Sequence, residues 1–274
     1  MRFTVIGVVI AGIAGLFAYA GGWLTPHALT PASMINTFEK VNGLHPSFRR
    51  NHAKGVCISG YFDSNGRGVA LSKAAVFPSG RVPVIGRFSL AGGQPYVADA
   101  PHTIRGMAIL FKLPDGEEWR TAMTNIPVFT VKTAQGFHDQ LLASAPDPTT
   151  GKPDPAKMKT FLDALIASIH SHPLQWHLVV TIGDPGDPAD DATIPWPPDR
   201  QQIDVGTLTI DHVESGDTSP VRDINLDPLV LPDGIATSDD PLLSARSAVY
   251  SQSFTRREGE PKEPSAVSTA ETEK

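Results

Sequence analysis

The sequence predicts an α+β fold: an antiparallel β core, barrel or sandwich, with flanking helices, preceded by an apolar N-terminal segment. Three observations carry that expectation. Val56–Phe62, Arg87–Leu90, Gly106–Leu113 and Ile126–Val131 are short runs of β-branched and aromatic residues, each bounded by Gly, Pro, Asp or Asn. Pro26–Asn42, Asp154–Ser171 and Asp239–Phe254 read instead as helices. The 24 Gly and 25 Pro supply the turns and long loops that such an arrangement needs.

Taken in order, Phe3–Leu24 is apolar throughout and preceded only by Arg2. A bilayer-spanning helix needs about 20 such residues. Ala18-Tyr19-Ala20 also has the small-residue pattern of a cleavage site, so residues 1–25 read as a signal or an anchor. The length of the run favours the anchor. Either places the remainder on the periplasmic side of the membrane.

Pro26–Asn42 follows as a short amphipathic helix capped by Thr30 or Ser33. Between two β runs, Leu113-Pro114-Asp115-Gly116 is a hairpin turn, with Pro presetting φ and Gly accepting φ > 0. In Asp154–Ser171, Phe161, Leu165 and Ile169 recur at helical spacing, as do Met158, Leu162 and Ile166; His172-Pro173 ends the helix. Gly183–Asp199 is a Pro/Asp-rich loop, Gln202–Val213 returns to strand alternation, and Asn225–Gly234 is extended. Asp239–Phe254 has Ser238 or Asp239 as cap and Pro241 in its first turn. The charged, Ser/Thr/Pro-rich residues 258–274 read as a disordered tail, leaving 26–257 as one domain.

The net charge of -6 excludes the basic face of a nucleic-acid partner. Cys57, the single cysteine, excludes an intramolecular disulfide and reads as a small buried hydrophobe. His170, His172 and His177 lie close together, but no Cys or carboxylate completes a metal site around them.

Four stretches carry chemistry. His52 lies in Arg49-Arg50-Asn51-His52-Ala53-Lys54-Gly55, and an imidazole moves protons near neutral pH. Arg87-Phe88-Ser89 begins the next predicted strand. Asn125-Ile126-Pro127-Val128-Phe129 follows Arg105-Gly106-Met107-Ala108 and the hairpin. Arg246 and Tyr250 are four apart and share one face of the last helix. A phenol ligates metal poorly until it loses its proton, and an Arg beside the oxygen favours the phenolate.

As an ordered set these stretches resemble the haem catalases, in the short form called catalase-related peroxidase, over about Ala32–Arg257. The resemblance implies a catalase-like barrel with haem between it and the C-terminal helix. It makes Tyr250 the axial tyrosinate to the iron, with Arg246 beside it. It places His52 over the distal face, with Ser89 fixing the ring and Asn125 as the distal amide. Arg49 and Arg87 would neutralise haem propionates. Asp227-Pro228 and Pro232 to Ile235 follow the same pattern. There are two departures. Thr130 stands where catalases carry a second Phe over the haem, leaving Phe137 to cover part of that face. After Tyr250, a longer His/Arg-rich run is reduced to Thr255, Arg256 and Arg257.

The implied activity is reduction of organic hydroperoxides and H₂O₂ with a small organic electron donor. The alternatives are true catalase activity and a non-redox haem carrier or sensor at the membrane. The shortened chain implies a more open haem, which favours larger peroxides and donors.

Overall fold

The structure, a computed structural model, describes residues 29–97, 99, 103–143 and 161–269. The predicted apolar segment Phe3–Leu24 lies outside them. Among the described residues, no helix is long and apolar enough to cross a membrane.

Six antiparallel strands form one sheet: β1 (Gly55–Ser64), β2 (Gly80–Leu90), β3 (Arg105–Lys112), β4 (Glu118–Thr124), β5 (Leu174–Thr181) and β6 (Gln202–Glu214). The strand order is β4-β3-β2-β1-β6-β5, so the expected barrel appears in the described residues as a sheet with β4 and β5 at its edges. Among the described residues, four α-helices accompany it: α1 (Pro31–Asn42), α2 (Ala134–Ala143), α3 (Phe161–Ser171) and α4 (Pro241–Glu258).

The two faces of the sheet differ, because side chains alternate along each strand. One face presents Val56, Ile58, Phe62, Val84, Phe88, Ile109 and Phe111, all buried, and α3 covers it with Leu162, Leu165, Ile166 and Ile169. Each such side chain contributes roughly 1.5–3 kcal/mol on burial. The other face is smaller and more polar. It carries Gly55, Cys57, Arg87, Ser89, Gly106 and Ala108, aligned by the register Gly55↔Ser89↔Gly106 and Cys57↔Arg87↔Ala108. Cys57 is buried there with Leu110, Val221 and Leu226.

α1 is closed at its start by a capping box: Thr30 accepts from the Ser33 N–H, and Ser33 accepts from the Thr30 N–H. α4 begins at Pro241 with Asp240 as cap, one residue beyond the two expected candidates. α1 packs on α4 and α2 through Met34, Ile35, Phe38, Phe137, Leu141 and Val249.

Several expectations are corrected. Ile126–Val131 is not a strand but a run of bends. Pro127 has no N–H to give a ladder, and the Phe129 N–H donates to Ala192 O in the 183–199 loop instead. The strand on that side is β4, whose Glu-Trp-Arg-Thr-Ala-Met-Thr sequence has no Val or Ile to announce it. β5 was hidden behind Pro173, although Leu174, Trp176, Leu178 and Val180 alternate. Residues 259–269 are not a loose tail. They run back over the domain and bury Val267 in the main core.

Candidate haem and peroxide site

The site lies at the end of the small-residue face where β1 begins, β2 ends and β3 begins. His52 precedes β1 and has φ 56, in the left-handed region. For a residue other than Gly this costs on the order of 1–3 kcal/mol and persists only where the surroundings over-determine it. Here they do. Asn51 Oδ1 accepts from the His52 N–H at 3.0 Å and from the Gly92 N–H at 2.9 Å, and the Ala53 N–H donates to Gly92 O at 3.0 Å. Arg87 donates to His52 O at 2.7 Å and to Ala53 O at 2.8 Å. The backbone around His52 is therefore held from both sides.

The ring is held as well. His52 Nδ1 and Ser89 Oγ lie 3.0 Å apart in a hydrogen bond. With the proton on Nδ1, Nε2 keeps a lone pair. Burial first, then Arg87, Arg246 and Arg49, push the imidazole down from 6.5 to about 4, so it is neutral at pH 7 and available as a base. Gly106 makes room for the pair: a Cβ there would stand 3.1 Å from both His52 Cε1 and Ser89 Oγ.

Asn125 follows β4, one residue past the pairing Gly106↔Thr124, and so lies at the same end of the sheet. Its Oδ1 accepts from the Arg105 N–H at 2.8 Å, and its own N–H donates to Arg105 O at 3.1 Å. With Oδ1 engaged, the free end of this exposed amide is the donor Nδ2.

On α4, Arg246 donates to Tyr250 Oη at 2.9 Å. The i, i+4 spacing brings the guanidinium to the phenol oxygen, as the sequence indicated. α4 is tied to the loop beneath by the buried Asp227, which accepts from Ser247 Oγ and from the Leu229 N–H. Phe137 packs with Phe38, ring centroids 6.0 Å apart, and shares a cluster with Val249.

A cluster of guanidinium groups lies close to His52 and Tyr250. Arg49 donates to Val221 O at 3.2 Å and Ile224 O at 3.1 Å; Arg257 donates to Arg222 O at 2.6 Å and to the same Ile224 O at 3.1 Å. Arg87 and Arg257 are 7% and 3% exposed. Among the described residues, none of Arg49, Arg87 and Arg257 forms a salt bridge with a carboxylate. Burial, then the neighbouring Arg49, push both Arg87 and Arg257 down to about 9. Burial also lowers Arg49, against the opposing influence of Cys57 and Tyr250. A guanidinium stays charged in proteins, so these positions call for an anion.

The residues therefore fit haem. The arginines offer counter-charge for two propionates, and Tyr250 carries an oxygen that would serve as a ligand, with a cation beside it. Arg257 was visible only as part of a remnant after Tyr250. The structure separates it from Arg256, which turns to Glu39 and Asn36 at 2.9 and 2.7 Å. A buried Arg one helical face along from Tyr250 was the available signal. Asn51 and Gly106 were also missed, although Gly inside a predicted strand signals a close approach.

Known proteins resemble this chain over most of its length. Residues 23–190 match the family model Catalase. A catalase-related peroxidase of Synechococcus elongatus is 30% identical, over 93% of this chain and 96% of its own length. One from Mycolicibacterium paratuberculosis is 26% identical, over 84% of this chain and 96% of its own. Among solved structures, a bacterial catalase superposes with TM-score 0.65 at 18% identity and a fungal catalase with TM-score 0.69 at 17%. The chain spans 62% and 64% of those two structures. The chain belongs to the catalase family, among its short catalase-related peroxidases, and is an enzyme of the haem peroxidase type.

Proposed function

We propose that the protein is a haem-dependent peroxidase that reduces organic hydroperoxides and H₂O₂ at the expense of a small organic electron donor. The observation that carries this is His52, its ring fixed by Ser89 and its charged form disfavoured by burial and by Arg87, Arg246 and Arg49, with Arg246 itself bonded to Tyr250. Bound haem would supply the redox equivalents.

The chain's own residues do the rest. His52 Nε2 takes the proton from the peroxide oxygen that is to be held and returns it to the oxygen that leaves, and Ser89 keeps the ring in place between the two steps. Asn125 Nδ2 donates a hydrogen bond to the peroxide without adding charge. Tyr250 would hold the haem iron, with Arg246 donating to its oxygen, and Arg49, Arg87 and Arg257 would pair with the propionates; Arg87 also fixes the His52 backbone. A haem carrier would need none of the His52, Ser89 and Asn125 arrangement.

Thr130 supports the peroxidase reading over dismutation. It is exposed and bonded to Gln140 at 2.8 Å, so it adds no aromatic cover to the peroxide side. The apolar residues 3–24 support an exported or membrane-anchored enzyme working on the periplasmic side. The test is one preparation of haem-loaded protein given H₂O₂ or cumene hydroperoxide, with and without a chromogenic donor, followed by oxygen electrode and absorbance. Donor oxidation should exceed oxygen release. Fast oxygen evolution with negligible donor oxidation would make the protein a small catalase.

A further inference from the structure

The segment that holds His52 is itself held by residues beyond α4. Ser47, at its start, is a second non-glycine residue in the left-handed region, with φ 63. It is buried, and its N–H donates to Glu260 Oε2 at 2.8 Å. The same carboxylate takes both terminal nitrogens of Arg50, Nη1 at 2.9 Å and Nη2 in a shorter contact. Arg50 also donates from Nε to Glu39 at 2.9 Å and from Nη1 to Phe48 O at 3.0 Å. A single side chain from the far end of the chain thus grips the turn at its first residue and at Arg50, two residues before His52.

The grip is part of a longer strap. Ser47 Oγ accepts from the Glu263 N–H at 3.0 Å and from Arg222 Nη2 at 2.9 Å. Ser265 donates its N–H to Asp217 at 2.6 Å, and Val267 enters the main core. Ser265 and Ala266 line one wall of a cleft whose other walls include Arg49, Ala53, Gly55 and Arg87. Among the described residues, Glu260 has no side-chain partner that belongs to the sheet. Its bonds go to the segment that carries Arg49 and His52.

We propose that Glu260 is a positioning residue for peroxide chemistry, clamping the Ser47–His52 turn so that the His52 ring meets its substrate at the right place. This rests on the function proposed above, since it acts through His52. The two left-handed residues set the direction in which the turn delivers the imidazole. Asn51, Arg87 and Ser89 hold its far end, and Glu260 with Arg50 holds its near end. Without the clamp the backbone can relax, and misplacement of a catalytic group by about 1 Å can cost roughly 100-fold in rate.

The test is Glu260→Gln, which keeps volume and removes the charge that draws Arg50, in the parent and in a His52→Ala background. Haem content, ferric spectrum, thermal midpoint and hydrogen exchange of residues 47–54 are read beside the rate at which H₂O₂ consumes the ferric spectrum. The expected result is unchanged haem content and ferric spectrum, faster exchange over 47–54, and a rate about 10- to 100-fold lower. In the His52→Ala background the same substitution should subtract nothing further, because the two act as one unit. Loss of equal size in both backgrounds would overturn the proposal, as would a parental rate in Glu260→Gln. So would a fall in rate that only tracks lost haem. If Glu260→Gln does not accumulate, Arg50→Lys breaks the same clamp from the other side and must show the same dependence on His52. A His52→Ala single variant as fast as the parent would refute the function itself, and with it this role, so the two failures are told apart.

Discussion

Arg49 and Arg257, far apart in sequence, donate to one carbonyl oxygen, that of Ile224, each at 3.1 Å. In the proposed haem-bound enzyme these two cations would face a propionate. Arg257→Ala should therefore weaken haem. Hydrogen bonds to charged groups contribute about 1.5–3 kcal/mol, so affinity should fall roughly 10- to 100-fold, measured by transfer of haem to a competing apoprotein. Arg256→Ala, which loses only Glu39, Asn36 and Ala32, should lower the thermal midpoint and leave haem affinity alone. Equal haem loss in both would remove the distinction.

Tyr250→Phe keeps the packing of the ring beside Val249 and removes the oxygen that Arg246 addresses. Haem should be lost or held weakly, and the absorption features of ferric tyrosinate should vanish. An unchanged spectrum would place the ligand elsewhere.

The pH dependence follows from His52. Its folded value of about 4 lies below the 6.5 of an exposed imidazole, because burial and then Arg87, Arg246 and Arg49 disfavour the charged form. Protonation therefore favours the unfolded chain, and the stability that His52 permits at neutral pH is lost as pH falls from 6.5 toward 4. The thermal midpoint of the parent should drop over that window by more than that of His52→Ala. The peroxide step should hold its rate down through pH 6.5 and fail only in the acid limb toward 4. An activity limb centred on 6.5 would show an ordinary, exposed imidazole.

The order of the chemistry was legible in the sequence because it rests on local patterns. The His52 segment, the Arg246–Tyr250 spacing and Ser89 on its strand all depend on a few neighbouring residues. What was not legible depends on distant partners. Ile126–Val131 looks like a strand by composition, yet its neighbour in space is the 183–199 loop. β4 is a strand because β3 offers it a ladder, not because Glu118–Thr124 favours one. The residues after Glu258 are charged and polar and read as disordered. The order of residues 259–269 comes from Arg50, Ser47, Arg222 and Asp217, none of which the tail's own sequence reveals.

The leader gives a separate expectation. Residues 3–24 are uncharged and apolar, so fractionation of cells should place the protein in the membrane or the periplasm. Full-length protein free in the cytosol would contradict export.

The most direct measurement is single-turnover mixing of haem-loaded protein with peroxide, comparing the parent with His52→Ala and Asn125→Ala. General acid–base catalysis contributes typically about 10²–10⁴-fold. His52→Ala should keep its haem and its ferric spectrum but react with peroxide slower by that order, and Asn125→Ala should lose less. If His52→Ala consumes peroxide at the parental rate with haem in place, proton transfer at Nε2 is not what the site does, and the peroxidase account fails.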